Sequence, residues 1–332
     1  MVFIQSQNFD LSTNTIIEWL LHYKVPFVRA NHENGEIILK KFLITNLETK
    51  IILDINGIVV DLDEISAYWH RRGTTSIKNK YNLDQFTKGF TKRVGNALLK
   101  NFEAQFHTLN EFINVKLAGA GRKLGNLKAA TLNKLDVLQK ASECGLVIPD
   151  TLITTSKREL QEFKNKKGRI ISKSIQDSVF IPGDYEHIVH YTEEITDNMI
   201  DTLPETFAPS FFQQLGEKEY ELRAFFLQGR FYSMAIFSQR DQQTSVDFRK
   251  YNDSEPSRTI PYKLPSWLED QLRKLMDMLQ LDTGSVDLIV SPAGNYYFLE
   301  INPVGQFGMV SYPCNYLIER KIAAYLANKT TP

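Results

Sequence analysis

Residues Asp287–Gln306, D-L-I-V-S-P-A-G-N-Y-Y-F-L-E-I-N-P-V-G-Q, set two apolar runs on either side of a turn. Two strands are predicted, Val286–Val290 and Tyr296–Ile301, joined through Pro292, Gly294 and Asn295. Side chains two residues apart on a strand point the same way, so Glu300 and Asn302 share one face. Tyr297, Leu299 and Ile301 share the other face, which is expected to be core. Asp287 lies on the neighbouring strand and reaches the same volume as Glu300 if the hairpin register allows it. Two carboxylates and an amide oxygen converging there suit a hard cation such as Mg²⁺, which takes oxygen ligands and keeps several waters. A solvated hairpin end is the alternative reading. Against it stands the setting, since Glu and Asn inside Y-Y-F-L-E-I-N-P are costly to bury without partners.

A chain of 332 residues exceeds what one hydrophobic core usually organises, so two or three subdomains are expected. Lys plus Arg equals Asp plus Glu, 39 of each, which gives no electrostatic footing for a nucleic-acid or membrane-surface partner. Any phosphate recognition then falls to a few placed Lys and Arg residues. No apolar run reaches membrane-spanning length, and Cys144 and Cys314 form neither a metal spacing nor a disulfide framework, so a reducing cytoplasm is expected.

Outward from the hairpin, the pattern reads as follows. A strand over Val2–Gln5 precedes a helix capped by Ser12 or Thr13, with the stripe Ile16, Ile17, Leu20 and Leu21, and then a strand over Pro26–Arg29. This β-α-β opening carries no Gly-rich phosphate loop. In A-Y-W-H-R-R-G (67–73), the aromatic pair and two arginines suit either an anionic or peptidic ligand, or a buried aromatic with two surface arginines. A helix is predicted over 83–114 with the stripe Phe86, Phe90, Val94, Leu98 and Phe102. The run A-G-A-G-R-K-L-G-N (118–126) lacks phosphate-loop spacing and reads as a flexible crossover. A helix capped by Asn133 or Thr131 buries Leu135 and Leu138 and ends at Gly145. G-R-I-I-S-K-S-I (168–175) is a strand with Lys173 near its end; Lys134 and Lys173 are phosphate candidates or ordinary surface lysines. In S-F-F-Q-Q-L-G-E-K-E-Y-E-L-R-A-F-F-L (210–227), a second strand places Glu219, Glu221, Arg223 and Phe225 on one face, which plain solvation would also explain. The last long helix starts with a capping box, Ser266-x-x-Glu269, and carries Leu268, Leu272, Leu275 and Leu279; a terminal helix covers roughly 315–328.

Taken in order, N-K-L-x-x-L-Q-x-A-x-x-x-G-L-x-x-P-x-T, S-K-S, F-Q-Q-L, E-L-R-A-F-F, D-F-R-x-x-N, D-L-I-V and F-L-E-I-N-P-V-G-Q resemble an ATP-grasp ligase over about residues 118–328. Y-W-H-R-R together with E-L-R and D-F-R resembles the graspetide (microviridin-type) branch, which crosslinks Asp or Glu side chains of a precursor peptide to its Ser, Thr or Lys side chains. The resemblance implies an α/β (α+β) ATP-grasp fold of three subdomains: 1–117 ahead of the grasp, a central 118–209, and a C-terminal 210–332 with the metal. Nucleotide would bind between the last two.

It also implies the site. Lys134 and Lys173 would hold ATP phosphates; Gln213, Gln214 and Leu215 would meet adenine, and Glu217 or Glu219 the ribose. Asp287, Glu300 and Asn302 would hold Mg²⁺. Arg223 and Arg249 would stabilise the transferred phosphoryl group, and Glu221 would serve as base or orient Arg223. The phosphate-covering loop after Lys173 has a single glycine, a departure from the family pattern. The implied partner is a precursor peptide with leader and core, and a homodimer is left open. Two other readings stay alongside: a carboxylate–amine ligase adding amino acids to a protein tail or small molecule, and a non-catalytic ATP- or peptide-binding module.

Overall fold

The apolar opening V-F-I-Q-S forms β1 (Val2–Ser6), and every residue of it is buried. The computed structural model describes all residues except 32, 34–36, 75, 78–86, 128–131, 176–179, 183–186, 190–191, 239–256 and 331–332; within 180–182 and 187–189 it describes the backbone alone. The chain divides into two units, one of Met1–Thr131, Gln306–Ser311 and Leu317–Pro332, the other of Leu132–Gly305 and Tyr312–Tyr316.

In the first unit β1 leads through α1 (Leu11–His22) to β2 (Phe27–Asn31), which lies parallel to it. The cap of α1 is Asp10, whose carboxylate accepts the Thr13 N–H at 3.4 Å, so the helix starts ahead of the expected Ser12 or Thr13. Ile16 and Leu20 are buried, whereas Leu21, at the edge of the stripe, is exposed. An antiparallel sheet of β3 (Ile37–Ile44), β4 (Thr49–Ile55) and β5 (Ile58–Asp61) follows, and then β6 (Ala67–His70), parallel to β1. The core gathers Phe3, Val28, Ile51, Leu53, Tyr68 and Ile113. Helix α2 (Lys92–Ala118) begins later than the stripe predicts: Phe90 and Val94 are exposed, and burial is confined to Gly95 and to Ile113 and Leu117 near its far end. Phe86 lies outside the described residues.

The expected flexible crossover is instead built structure. Arg122–Leu124 forms β7, parallel to β6, giving the order β2-β1-β6-β7. Gly125 then turns at φ +76°, and a Cβ there would lie 2.2 Å from the backbone oxygen of His70. A carbonyl fixed in a strand cannot retreat as a side chain can. Gly125→Ala is therefore expected to lower stability by about 3 kcal/mol, from left-handed strain plus overpacking, read as a shift in the urea midpoint at unchanged slope.

The second unit opens with α3 (Lys134–Glu143), capped by Asn133, which accepts the Leu135 N–H at 2.9 Å. Val137, Leu138 and Ala141 face inward, while Leu135, expected there, is exposed. Next come β8 (Thr151–Ser156), α4 (Lys157–Lys167), β9 (Ile170–Lys173), β10 (Phe180–Pro182), β11 (His187–Val189), β12 (Glu193–Glu194), α5 (Asp197–Thr202) and β13 (Thr206–Gln214). One sheet has the order β12-β9-β13-β8, and β10 pairs with β11 alone among the described residues. Leu160, Ile170, Ile200 and Phe212 form the core under that sheet.

A second sheet runs β16-β15-β14-β17-β18, antiparallel throughout. Its strands are β14 (Tyr220–Leu227), β15 (Arg230–Phe237), β16 (Arg258–Tyr262), β17 (Thr283–Val290) and β18 (Tyr296–Asn302), with α6 (Ser266–Met278) inserted before β17. The expected capping box is not formed. Pro265 is the cap residue and Ser266 already lies in the first turn, so Glu269 pairs instead with Arg273 at 2.6 Å. The predicted stripe of α6 is buried as read. The terminal helix is α8 (Ile318–Ala327), within the range read from the sequence; a further helix, α7 (Gly308–Cys314), precedes it, with Leu317 at φ +50° between them. Among the described residues no helix is long and apolar enough to cross a membrane.

Candidate active site

Strand β14 is central to its sheet, flanked by β15 and β17, and all of Glu221–Leu227 is buried. Solvation thus does not explain Glu221 and Arg223. Across the strands Arg223 stands opposite Asp287, and Asp287 stands opposite Glu300. Arg223 Nε lies 3.3 Å from Asp287 Oδ1, and Lys134 Nζ, from the start of α3, lies 3.8 Å from Glu300 Oε2. The hairpin register therefore brings both acidic residues to one face, the condition left open by the sequence. Two carboxylates directly opposite each other repel unless cations intervene.

The face assignment in β18 differs from simple alternation. The pairing shifts between Asp287 and Leu288, whose partners are Glu300 and Phe298, so Leu299 is the extra residue of a β-bulge. Phe298 takes the core position expected for Tyr297 and Leu299; Tyr297 is half-buried, and Leu299 joins Glu300 on the cavity side. Ile301 is core as read.

That cavity, about 410 Å³, lies within the second unit. Asp287, Glu300, Arg223 and Glu221 line one wall, with Ile289 and Ile236; Lys173, Ile171 and Gln213 line another, followed by Gln214, Leu215 and Glu217. Alternation on β9 and β13 explains the second wall, because Ile170 and Phe212 turn to the core while Ile171 and Lys173 turn the other way. The Lys173 ammonium lies 5.2 Å over the Phe211 ring. Gln213 is held by its amide, which donates to Thr151 Oγ1 at 2.9 Å. The Gln214 and Leu215 N–H groups are committed to Asp150 O and Arg169 O, both at 2.9 Å, so this segment turns side chains rather than those N–H groups to a ligand.

Three expected residues stand apart from the lining. Lys134 reaches it through Glu300. Glu219 precedes β14 and is exposed. Asn302 ends β18, exposed, with Oδ1 accepting the Val304 N–H at 3.0 Å, which fixes its amide beside the Pro303 turn. Arg249 and most of the loop after Lys173 lie outside the described residues. Lys218 is the residue that sequence reading missed. It sat in an apparent linker, yet its ammonium is ion-paired with Glu221, both side chains 8% exposed. The only trace of it in the sequence is a lysine three residues ahead of a strand carboxylate, which is weak.

The donor set is a test of fit. Asp287 and Glu300 offer hard oxygens side by side, which suits Mg²⁺ rather than a soft metal, while the Asn302 amide oxygen is turned to the Val304 N–H. Among the described residues no group of three or more His, Cys, Asp or Glu side chains gathers, at this place or at another.

No protein-family model and no curated protein sequence matches the chain. Solved structures do. A Chryseobacterium gregarium RiPP-associated ATP-grasp ligase, in complex with ADP and a leader and core peptide, aligns at TM-score 0.78 with 23% identity, covering 99% of this chain and 97% of that one. The macrocyclase MdnC of Microcystis aeruginosa MRC, bound with precursor peptide MdnA, aligns at 0.74 with 26% identity over 99% of both chains. The chain has the fold of the RiPP-associated ATP-grasp ligases. D-alanyl-alanine synthetase A of Vibrio cholerae is also similar, at TM-score 0.57 and 13% identity. The cavity is bounded by both sheets of the second unit.

Proposed function

We propose that the chain is an ATP-dependent macrocyclase of a ribosomally made precursor peptide, joining Asp or Glu side chains to Thr, Ser or Lys side chains as esters or amides. The observation that carries this is the cross-strand row Arg223–Asp287–Glu300, with Lys134 on its end, facing a cavity whose opposite wall holds Lys173 and Gln213–Leu215.

Asp287 and Glu300 would hold Mg²⁺, with Asn302 as a third ligand. Bound there, the metal would neutralise charge on nucleotide phosphates. Lys134 and Lys173 would add positive charge to the same phosphates. The apolar stretch of Ile171, Leu215 and Ile289, edged by Gln213 and Gln214, would take the adenine, and Glu217, which lines the cavity, fits the ribose better than Glu219. A peptide carboxylate attacks the γ-phosphorus of ATP, giving an acyl phosphate and ADP; a hydroxyl or amine then attacks the activated carbonyl and phosphate leaves. Phosphoryl transfer of this kind needs mainly positioning and charge neutralisation. Arg223, braced by Asp287, would supply a fixed cation for the transferred group, and Arg249 a second. Glu221, already paired with Lys218, suits orienting its neighbours on β14 better than taking a proton.

The partner is a peptide carrying leader and core, and the place of work the cytoplasm, which suits two buried free thiols, Cys144 and Cys314. Mass spectrometry tests the reaction. With ATP, Mg²⁺ and the cognate precursor, each crosslink removes the mass of one water and releases ADP; ADP release only when free amino acids are added would favour the tail-extending ligase.

A further inference from the structure

In the first unit, β1 sits between β2 and β6 in a parallel sheet. The chain leaves the carboxyl end of β1 toward β2, and it leaves the carboxyl end of β6 toward β7 on the other side. Such a reversal opens a crevice outside the two strand ends, the usual ligand position of open parallel sheets.

The side chains there are charged and fixed. Arg71 and Arg72 both reach Asp10, Nε to Oδ2 at 3.0 and 3.4 Å. Arg71 is sunk, its guanidinium 5.8 Å over the Phe307 ring, while the Arg72 side chain is 32% exposed. The loop between them cannot swing freely: the Arg71 and Arg72 N–H groups donate to Gln5 O, and Gln5 Nε2 and His70 Nε2 both donate to Gly73 O. Arg29 joins the cluster through Gln7 O and Asn14, and Glu33 accepts the Asn8 N–H. Burial holds His70 below its usual range, so it adds no charge. Among the described residues three guanidiniums thus meet two carboxylates, Asp10 and Glu33. Asp10 already caps α1, so the helix end itself is not what attracts an anion. Beside Asp10 stands Phe9, 98% exposed and held at φ +59°, an unusual setting for an aromatic residue.

We propose that this crevice is a carboxylate-recognition site in which Arg72 takes an Asp or Glu side chain of an acidic peptide segment, with Phe9, next to Asp10 in the chain, at its edge. The occupant follows from the excess positive charge and the fork of Arg72, which matches a carboxylate. It rests on the reading of the substrate as a peptide, and places part of the selection for acidic sequences away from the nucleotide cavity.

The test is fluorescence anisotropy on the full chain without ATP or Mg²⁺. One labelled peptide repeats Thr-Glu-Gly-Asp, the other its isostere Thr-Gln-Gly-Asn. The acidic peptide is expected to bind about tenfold more tightly, the scale of one charge-assisted hydrogen-bonded pair, and Arg72→Gln to erase the difference. Phe9→Asp should erase it as well, while Phe9→Asn should keep it. Both residues are at ease in the left-handed region, so that pair decides even if Arg72→Gln fails to fold. Equal binding of the two peptides to the unaltered chain, or a preference that survives both Arg72→Gln and Phe9→Asp, overturns the site. An intact preference without ATP-driven crosslinking would count against the macrocyclase reading and leave this site standing.

Discussion

Glu300→Gln should lower Mg²⁺-dependent ADP release by about 10²–10³-fold while leaving thermal stability nearly unchanged. The activity loss follows from removing one of the two carboxylates proposed to hold Mg²⁺ where phosphoryl charge is to be neutralised, where single electrostatic groups are worth about that factor. Stability is governed by smaller terms that oppose each other. Glu300 stands directly opposite Asp287, a like-charge pair that costs up to about 1 kcal/mol. Its attraction to Lys134 at 3.8 Å, between partly exposed groups, returns about the same. A metal-free chain therefore gains or loses little when the charge is removed. Raising Mg²⁺ should not restore the rate to the original, and chelating Mg²⁺ from the unaltered chain should reproduce the defect. Turnover near the original rate in Glu300→Gln would remove the metal assignment, and with it the mechanism.

How much of this was legible beforehand is best seen in individual residues. The hairpin of β17 and β18 could be read because its turn and apolar runs are local, and local pattern sets strand position. Which face each residue of β18 takes was legible only on one side of Leu299. A single extra residue shifts the alternation, and nothing in Y-Y-F-L-E-I-N-P announces a bulge that is fixed by pairing with β17. Arg223 and Glu221 were visible as polar residues in an apolar strand, but their burial depends on β14 lying between two other strands, a fact of topology. The glycines of 118–126 suggested freedom where Gly125 in fact allows β6 and the turn after β7 to approach closely. The cap of α1 was misplaced by two or three residues for a simpler reason: Asp, Ser and Thr all cap well, and three such residues stand within four positions.

Lys218→Met is expected to destabilise the chain by about 3 kcal/mol, more than removing most exposed ion pairs could. Lys218 and Glu221 are both withdrawn from solvent, and taking one partner from a buried pair leaves the other charge in a medium that solvates it poorly. The two single deletions should differ. Glu221 is fixed by a short stem to a central strand, whereas Lys218 lies before the strand on a long flexible stem and can turn its ammonium outward. Glu221→Leu should thus cost less than Lys218→Met, and the double replacement should recover most of the loss, since apolar side chains of similar size suit a buried site at least as well as the pair. Urea unfolding of the four proteins gives the coupling as a double-mutant cycle. Activity should not follow stability. With Glu221 gone the row beside Arg223 loses its neighbouring charge, so the stable double variant should still release ADP about tenfold more slowly, an effect in kcat more than in KM. A double variant as unstable as Lys218→Met would mean that the pair holds the strand entrance by its own geometry; one as active as the original would confine Lys218 and Glu221 to folding and leave Arg223 positioned by Asp287 alone.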